Sequence, residues 1–257
     1  MIRHFLSLIL HLSPSKKLDD IILWPLASRL FKNYSCVVDI APGIPIRVYG
    51  DMHDMVNKSL LFYSDYMEYA WEPATAKLVA EIAPQKKVVL AAGSHIGYYP
   101  VIVAHKNPEA KIYAFEPNPK NFARLRENVK GLNVETVPSG LGETIEDKKM
   151  FFDFGQSSFI ETDRKHDGEG VVHIDTLDNF FKGKAAPDLM ILDAEGYEEF
   201  ILKGGKEMIA THHPDIIFEI NKTLSHDSLT EYIKGQGYTI REIEGDHGRF
   251  VNAIATI

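Results

Sequence analysis

Cysteine is all but missing from this chain: Cys36 is the single one in 257 residues. No disulfide can form within the chain, and such usage points to a reducing, cytoplasmic setting. A lone cysteine in an apolar stretch reads as packing. A hydrophobic run of membrane-spanning length is missing too. The apolar stretch Phe5 to Leu12 in MIRHFLSLILHLSPSKK is too short to cross a bilayer. It is only loosely like the core of a signal peptide, and no small-residue cleavage site follows it. Excess positive charge is also lacking. Lys and Arg number 28 against 36 Asp and Glu, giving a net charge of −8, with the signs mixed along the chain. That excludes the broad basic face needed for sequence-independent grip on nucleic acid. Internal repeats and low-complexity tracts are absent.

What remains is ample material for a core. Hydrophobic residues make up 45% of the chain, enough for one large domain with an appendage. The spacing divides it into an N-terminal helical segment with a small β-hairpin (residues 1–70) packed on a main domain (residues 71–257). For residues 1–31, a pair of short amphipathic helices packed on the domain leads. Contact with a membrane surface or a partner, and targeting, stay open behind it. CVVDIAPGIPIRVYG reads as the hairpin, and Trp71 to Ile82 as a helix leading into the main sheet.

From Val88 the pattern becomes regular. KVVLAA is a buried strand, followed by a helix from Gly97 to His105. KIYAF is a second strand and NPKNFARLRENV a second helix, with Asn118 as N-cap and Pro119 at its first position. A third strand covers Val134 to Val137. Residues 148–175, with alternating apolar positions and a Gly-rich, charged middle, read as a β-insertion or a shifted strand pair over the sheet. Strand DLMILD, helix EEFILKGGKEMI, strand DIIFEI, helix SLTEYIKGQ and strands YTIREIE and RFVNAIAT complete the chain. Alternating strands and helices demand a parallel sheet with helices on both faces. The last two strands, joined by GDHG without a helix, make its end antiparallel. The expected class is α/β: a Rossmann-like seven-stranded sheet, antiparallel in its last strand, with a β-insertion between strands three and four. This is the order expected of S-adenosylmethionine-dependent methyltransferases; a dehydrogenase would more often keep six parallel strands.

Ligands of such sheets bind beyond the carboxyl ends of the strands. After the first strand come Gly93, Ser94, His95, Ile96 and Gly97. Glycines there allow a sharp turn and close backbone approach, and the helix N-terminus beyond offers free N–H groups. After the second comes Glu116, placed to accept hydrogen bonds from ribose hydroxyls and to disfavour a phosphate on that ribose. After the third come Ser139 and Gly140, small enough for an adenine edge. Asp193, Ala194, Glu195 and Gly196 follow the fourth strand, and Glu219 lies at the end of the fifth. Blander readings accompany these. Two glycines four apart make an ordinary turn as often as a site. Glu116 fits a solvated loop acid, and Asp193 fits a helix cap, with Glu195, Glu198 and Glu199 complementing the helix dipole. His173, His212 and His213 read as surface or packing residues.

Taken together, several segments resemble the FkbM family of methyltransferases. They are Trp71-Glu72, Ala91-Ala92-Gly93-Ser94-His95-Ile96-Gly97-Tyr98-Tyr99, Phe115-Glu116-Pro117-Asn118-Pro119, Thr176-Leu177-Asp178 and Asp193-Ala194-Glu195-Gly196-Tyr197-Glu198. Their order and spacing cover a little over half the chain. The resemblance implies S-adenosylmethionine as cofactor. Gly93, Ser94, His95, Gly97 and Tyr98 would lie along its methionine end. Glu116, Pro117 and Asn118 would hold the ribose, Ser139 and Gly140 would face the adenine, and Glu72 would pair with its amino group. Asp193 and Glu195 would stand at the transferring methyl, Asp193 as base or acceptor-positioning group. A divalent ion shared by Asp193, Glu195 and Glu219 is the alternative, though carboxylates alone make no convincing tight site, so no metal is assigned.

Three departures from the family pattern stand out. Its acid at the first strand end is Ala91, its loop asparagine is His95, and its lysine two residues before the aspartate is Ile191. Two functional classes therefore stay open. One is an O-methyltransferase acting on a hydroxyl of a sugar, glycolipid or natural product, with a small-molecule or glycan acceptor as partner. The other is a degenerate binding module that holds the cofactor weakly or not at all. An NAD-dependent oxidoreductase is disfavoured by the terminal hairpin and by the lack of a hydride-transfer set.

Overall fold

The computed structural model describes residues 3, 24–31, 34–51, 53–152, 157, 159, 168–222, 226–245 and 250–257. Two compact units divide the chain, Met1–Lys77 and Leu78–Ile257. In the first, helix Trp24–Phe31 precedes strands β1 (Ser35–Ala41) and β2 (Ile44–Tyr49), which pair antiparallel, and helix Met55–Tyr63 follows. Asp54 caps that helix by accepting the Asn57 N–H at 3.0 Å, and Asn57 returns its carbonyl to the Tyr49 N–H at 2.8 Å. Arg3 ties in from the N-terminus, donating to the Leu61 carbonyl at 2.8 Å and pairing with Asp65 at 3.0 Å. Cys36 is half-buried in β1. The apolar run Phe5 to Leu12 lies outside the described residues, so the expected pair of N-terminal helices is seen only as Trp24–Phe31. Helix Pro73–Ile82 crosses the division between the units; it starts two residues later than the sequence pattern suggests, at the proline.

The second unit is built on strands β3 (Val88–Ala92), β4 (Lys111–Phe115), β5 (Val134–Val137), β9 (Leu189–Leu192), β10 (Asp215–Asn221), β11 (Thr239–Gly245) and β12 (Phe250–Thr256). Their order in the sheet is β11-β12-β10-β9-β3-β4-β5. The central strands read as continuous apolar runs because both faces are covered; all four residues of β9 are buried. β12 runs antiparallel between β10 and β11. The chain leaves β3 toward β4 on one side and returns to β9 on the other, so strand order reverses between β3 and β9. Sheets of this class hold their ligands at such a reversal, beyond the carboxyl ends of the strands. Leu90, Phe115, Leu192, Phe218 and Val251 lie in the main core cluster.

Two details differ from the sequence pattern. The insertion becomes a separate three-stranded sheet of β6 (Gly140–Leu141), β7 (Glu146–Phe152) and β8 (Gly168–Asp175), in the order β6-β8-β7. Of its Gly-rich middle, residues 153–167, only Ser157 and Phe159 are described, and the turn at 246–249 lies outside the description. EEFILKGGKEMI is not one helix but two, Glu198–Lys203 and Lys206–His212. Close packing breaks it. A Cβ on Gly204 would stand 1.9 Å from the Gly142 carbonyl oxygen, and one on Gly205 2.6 Å from a Leu177 methyl. Asp178 then caps the second helix by accepting the N–H groups of Met208 at 2.8 Å and Glu207 at 3.1 Å.

Candidate active site

At this reversal the first loop is fixed by backbone contacts. The Phe115 carbonyl, at the end of β4, accepts the N–H groups of Gly93 at 3.1 Å and Ser94 at 2.9 Å. The Ser94 hydroxyl donates back to the Ala91 carbonyl at 3.0 Å. Gly93 has φ 76°, and a Cβ there would sit 1.8 Å from the Asp193 carbonyl oxygen. No larger residue fits without parting the two loops. The Asp193 N–H in turn donates to the Ala92 carbonyl at 3.0 Å. Gly97, at φ 95°, is the N-cap of helix Tyr98–Lys106 and leaves that helix end without a side-chain cap. Tyr98 and Tyr99 are both buried, their rings 5.3 Å apart and edge to face.

Glu116 is buried at 4% exposure. One carboxylate oxygen accepts the His95 N–H at 2.8 Å, and the other accepts the Asn118 N–H at 2.9 Å. Burial pushes its carboxyl up to about 7, against nearby His95 and these two N–H groups, which favour the charged form. A solvated loop acid is thereby excluded. His95 is held in the left-handed region at φ 51°. Pro117 leads into Asn118, which caps helix Pro119–Asn128 by accepting the Lys120 N–H at 2.9 Å. The Asn118 amide also donates to the Ser157 hydroxyl at 2.8 Å, tying the insertion to this corner. Ser139 is buried beside Gly140, and a Cβ on Gly140 would meet the Phe159 ring at 2.8 Å and Ile174 at 2.7 Å.

The second loop carries Asp193 and Glu195, both half-buried. Asp193 is not the helix cap: the N-cap of Glu198–Lys203 is Tyr197, and it offers no side-chain bond. Glu195 lies at φ 54° and Gly196 at φ 93°, two left-handed residues in succession. Sequence patterning assigned Glu198 only to the helix dipole. It is 1% exposed, and its carboxylate accepts the Ala194 N–H at 2.6 Å. Burial drives this carboxyl up to about 7 as well, opposed by the N–H groups of Glu198 itself, Ala194 and Gly196. Below the loops, Ala91 and Ile191 are direct register partners, each 3% exposed.

Gly93, Ser94, His95, Gly97, Tyr98, Glu116, Asn118, Asp193 and Glu195 therefore meet through bonds or neighbouring strand ends within the second unit. Glu72 belongs to the first unit, where it has φ 42° and its carbonyl accepts the Ala76 N–H at 2.9 Å. Glu219, one step past the β9–β10 register pair Phe218–Leu192, stands level with Asp193 and pairs across to Asn252. His212 and His213 are exposed, as is His173, which contacts Asp147 at 3.1 Å. Among the described residues no group of three or more His, Cys, Asp or Glu is arranged to hold a metal ion, and no helix is long and apolar enough to cross a membrane.

Residues 92–240 match the family described as Methyltransferase FkbM domain, which is more than half the chain. A hexuronic acid methyltransferase, AglP of Haloferax volcanii, is 30% identical over 137 residues, covering 52% of this chain and 56% of that protein. The crystal structure of the methyltransferase FkbM from Methylobacillus flagellatus KT superposes with a TM-score of 0.50 at 19% identity. It covers 67% of this chain and 43% of its own. The chain thus spans about half the length of each relative, and the second likeness concerns the fold alone.

Proposed function

The chain belongs to the FkbM methyltransferase domain family, and from that premise we propose that it transfers a methyl group from S-adenosylmethionine to a hydroxyl oxygen of a sugar-bearing acceptor. The observation that carries the reading is the meeting of Gly93, Glu116 and Asp193 at one switch point, two bare backbone loops flanking a buried carboxylate. These residues suit the cofactor's chemistry. Gly93 offers a backbone surface with no side chain, and Glu116 has lone pairs left for a ribose diol. Ser94, His95 and Tyr98 complete the methionine end, Pro117 and Asn118 flank the ribose, and Ser139 and Gly140 flank the adenine. Glu72 is the proposed partner of the amino group.

Bound S-adenosylmethionine supplies a methyl group already activated by positive sulfur. The protein's part is alignment and removal of the acceptor's proton. Asp193 is the proposed base, and Glu195 holds the acceptor beside it. A sugar acceptor is supported by the relative that is a hexuronic acid methyltransferase. The single cysteine supports a cytoplasmic setting. Leu26 and Leu30, exposed one turn apart on helix Trp24–Phe31, support a membrane- or partner-facing role for residues 1–31.

Ala91 favours a second reading, a binding module without turnover, because a buried alanine stands where the family pattern has an acid. Calorimetry with S-adenosylmethionine and its demethylated product separates the two. Micromolar binding, abolished in Glu116→Ala, is the expected result. Silence up to millimolar cofactor would hand the case to the binding module, and binding of NAD alone would sink the methyltransferase reading.

A further inference from the structure

We infer that Glu198 is a positioning residue of the transfer: its buried carboxylate locks the turn that presents Asp193 and Glu195 to the acceptor. The inference rests on the proposed roles of those two residues. It begins from backbone geometry. Glu195 and Gly196 are consecutive left-handed residues, at φ 54° and 93°. For a glutamate such a conformation is strained and persists only where its surroundings over-determine it. The turn is held at both ends. On one side the Asp193 N–H bonds the Ala92 carbonyl at 3.0 Å, and the Asp193 carbonyl lies against the bare face of Gly93. On the other, Glu198 reaches back four residues to take the Ala194 N–H at 2.6 Å. The N–H groups of Gly196 and of Glu198 itself also favour the charged form of this carboxyl.

Helix stability alone does not explain the arrangement. Glu198 opens a helix of six residues, and it is 1% exposed rather than spread on the surface, where a first-turn acid serves the dipole well. Burying a carboxylate is unfavourable unless hydrogen bonds compensate, and here the compensating donors are the amides of the loop. What this side chain does that an apolar one cannot is hold the Ala194 amide, directly before Glu195. A glutamine keeps one acceptor oxygen but turns an NH2 group toward donors, so the clamp weakens while the volume is kept.

The test uses the full chain and the variants Glu198→Gln and Glu198→Ala, with glucuronic acid and methyl glucoside as acceptor probes. Release of demethylated cofactor measures turnover, calorimetry measures its affinity, and nitrogen-15 NMR follows the Ala194 and Gly196 amides. The expected result for Glu198→Gln is a kcat about 10- to 100-fold lower, as for a misplaced catalytic group. The cofactor KM and product affinity should stay near wild type, with the Ala194 amide proton moved upfield. Glu198→Ala should lie lower still, and should it fail to fold, Glu198→Gln decides alone. Unchanged turnover in Glu198→Gln overturns the inference. So does a parallel loss of kcat, cofactor affinity and melting temperature, which would mark a structural residue only. If wild type neither binds cofactor nor turns over, the methyltransferase reading fails by itself. The amides then still judge the clamp: unmoved in Glu198→Gln, they overturn it.

Discussion

The two loops that meet at the switch point follow one plan and are locked in different ways. Each leaves its strand at the same register step, after the pair Ala92–Leu192. Each forces a residue with a side chain into the left-handed region, His95 at φ 51° and Glu195 at φ 54°. Each then hands a backbone N–H to a buried glutamate. The difference lies in where the glutamate comes from. Glu198 sits four residues on, at the head of the loop's own helix, so the second loop is set locally. Glu116 comes from the end of β4, 21 residues away, so the first loop takes its shape only once β3 and β4 are paired. Moreover, the group that shapes the first loop is the one proposed to hold the ribose. Cofactor affinity and the backbone at His95 therefore share a single carboxylate, whereas the second loop is preset without the cofactor.

The sharpest way to break this pairing is to put charge beneath both loops at once. Ala91 and Ile191 face one another across β3 and β9, each 3% exposed. They are also the positions where the family pattern has an acid and a lysine. A charged pair at these two positions would be a buried one, and replacing such a pair by apolar residues is often neutral or stabilising. Ala91→Asp alone should lower stability by about 3–5 kcal/mol, since it buries an unpaired carboxylate. Ile191→Lys alone should do comparable damage. The double variant should recover about 1–3 kcal/mol of coupling, read from a double-mutant cycle by urea unfolding. Strict additivity would show that the two positions are independent, and Ala91 would then stand as a plain loss.

Next in size is the contact between the loops themselves. Gly93→Ala places a methyl group 1.8 Å from the Asp193 carbonyl oxygen and strains a residue at φ 76°. The loops must separate, and stability should fall by about 2–4 kcal/mol. Gly97→Ala, where the obstacle is a Leu125 methyl at 3.0 Å, should lose less because a side chain can yield. Equal losses in thermal unfolding would deny that Gly93 is the joint between the loops.

How much of this was legible beforehand depends on how far each cause lies along the chain. The buried strands announced themselves in runs such as VVLAA and LMIL, and Asn118-Pro119 announced its helix start, because those signals are local. The break at Gly204 and Gly205 was not visible, since the atoms that force it belong to Gly142 and Leu177. Nor was β6: in the sequence Gly140 is only a small residue suited to an adenine edge, and it becomes a strand by pairing with Ile174. At the site, residue types at strand ends marked Glu116 and Asp193, but no spacing could say that Glu116 grips the His95 amide. Glu198 was hidden for a related reason. Its partners are backbone N–H groups, which every residue but proline carries, so no residue type betrays them.

A pH titration tests whether the first loop really shares its carboxylate with the cofactor. Burial raises Glu116 and Glu198 from 4.5 to about 7 in the folded protein. Between those values the folded chain binds protons that the unfolded chain has released. The contribution of both groups to stability is therefore full below 4.5 and lost as pH rises through 7. Cofactor affinity should move the opposite way, because ribose hydroxyls donate to the charged carboxylate. Lowering the pH from 7.5 to 5.5 should weaken binding of the demethylated cofactor by about tenfold or somewhat more, as expected for one group titrating near 7. Glu116→Gln should bind more weakly at high pH and show a flat profile. A profile that keeps its slope in Glu116→Gln would assign the titration elsewhere and separate the ribose contact from the loop.

The smallest effect discriminates most finely between the loops. His95 carries a left-handed φ of 51° that an imidazole side chain adopts at some cost, whereas asparagine tolerates that region better. His95→Asn should therefore stabilise the fold by about 0.5 kcal/mol, provided the amide bond to Glu116 is kept. The matching change in the second loop, Glu195→Asn, relieves the same strain at φ 54° and should give a similar gain in stability. Their effects on cofactor affinity should differ. His95→Asn removes a ring whose charge interaction lowers the Glu116 carboxyl, so the midpoint of the binding titration should move upward. Glu195→Asn should leave that midpoint in place, since Glu195 is not among the groups that set it. Calorimetric titrations of the two variants over the same pH range would show it. A midpoint that moved equally in both would mean that the loops are coupled through the sheet more strongly than through their glutamates.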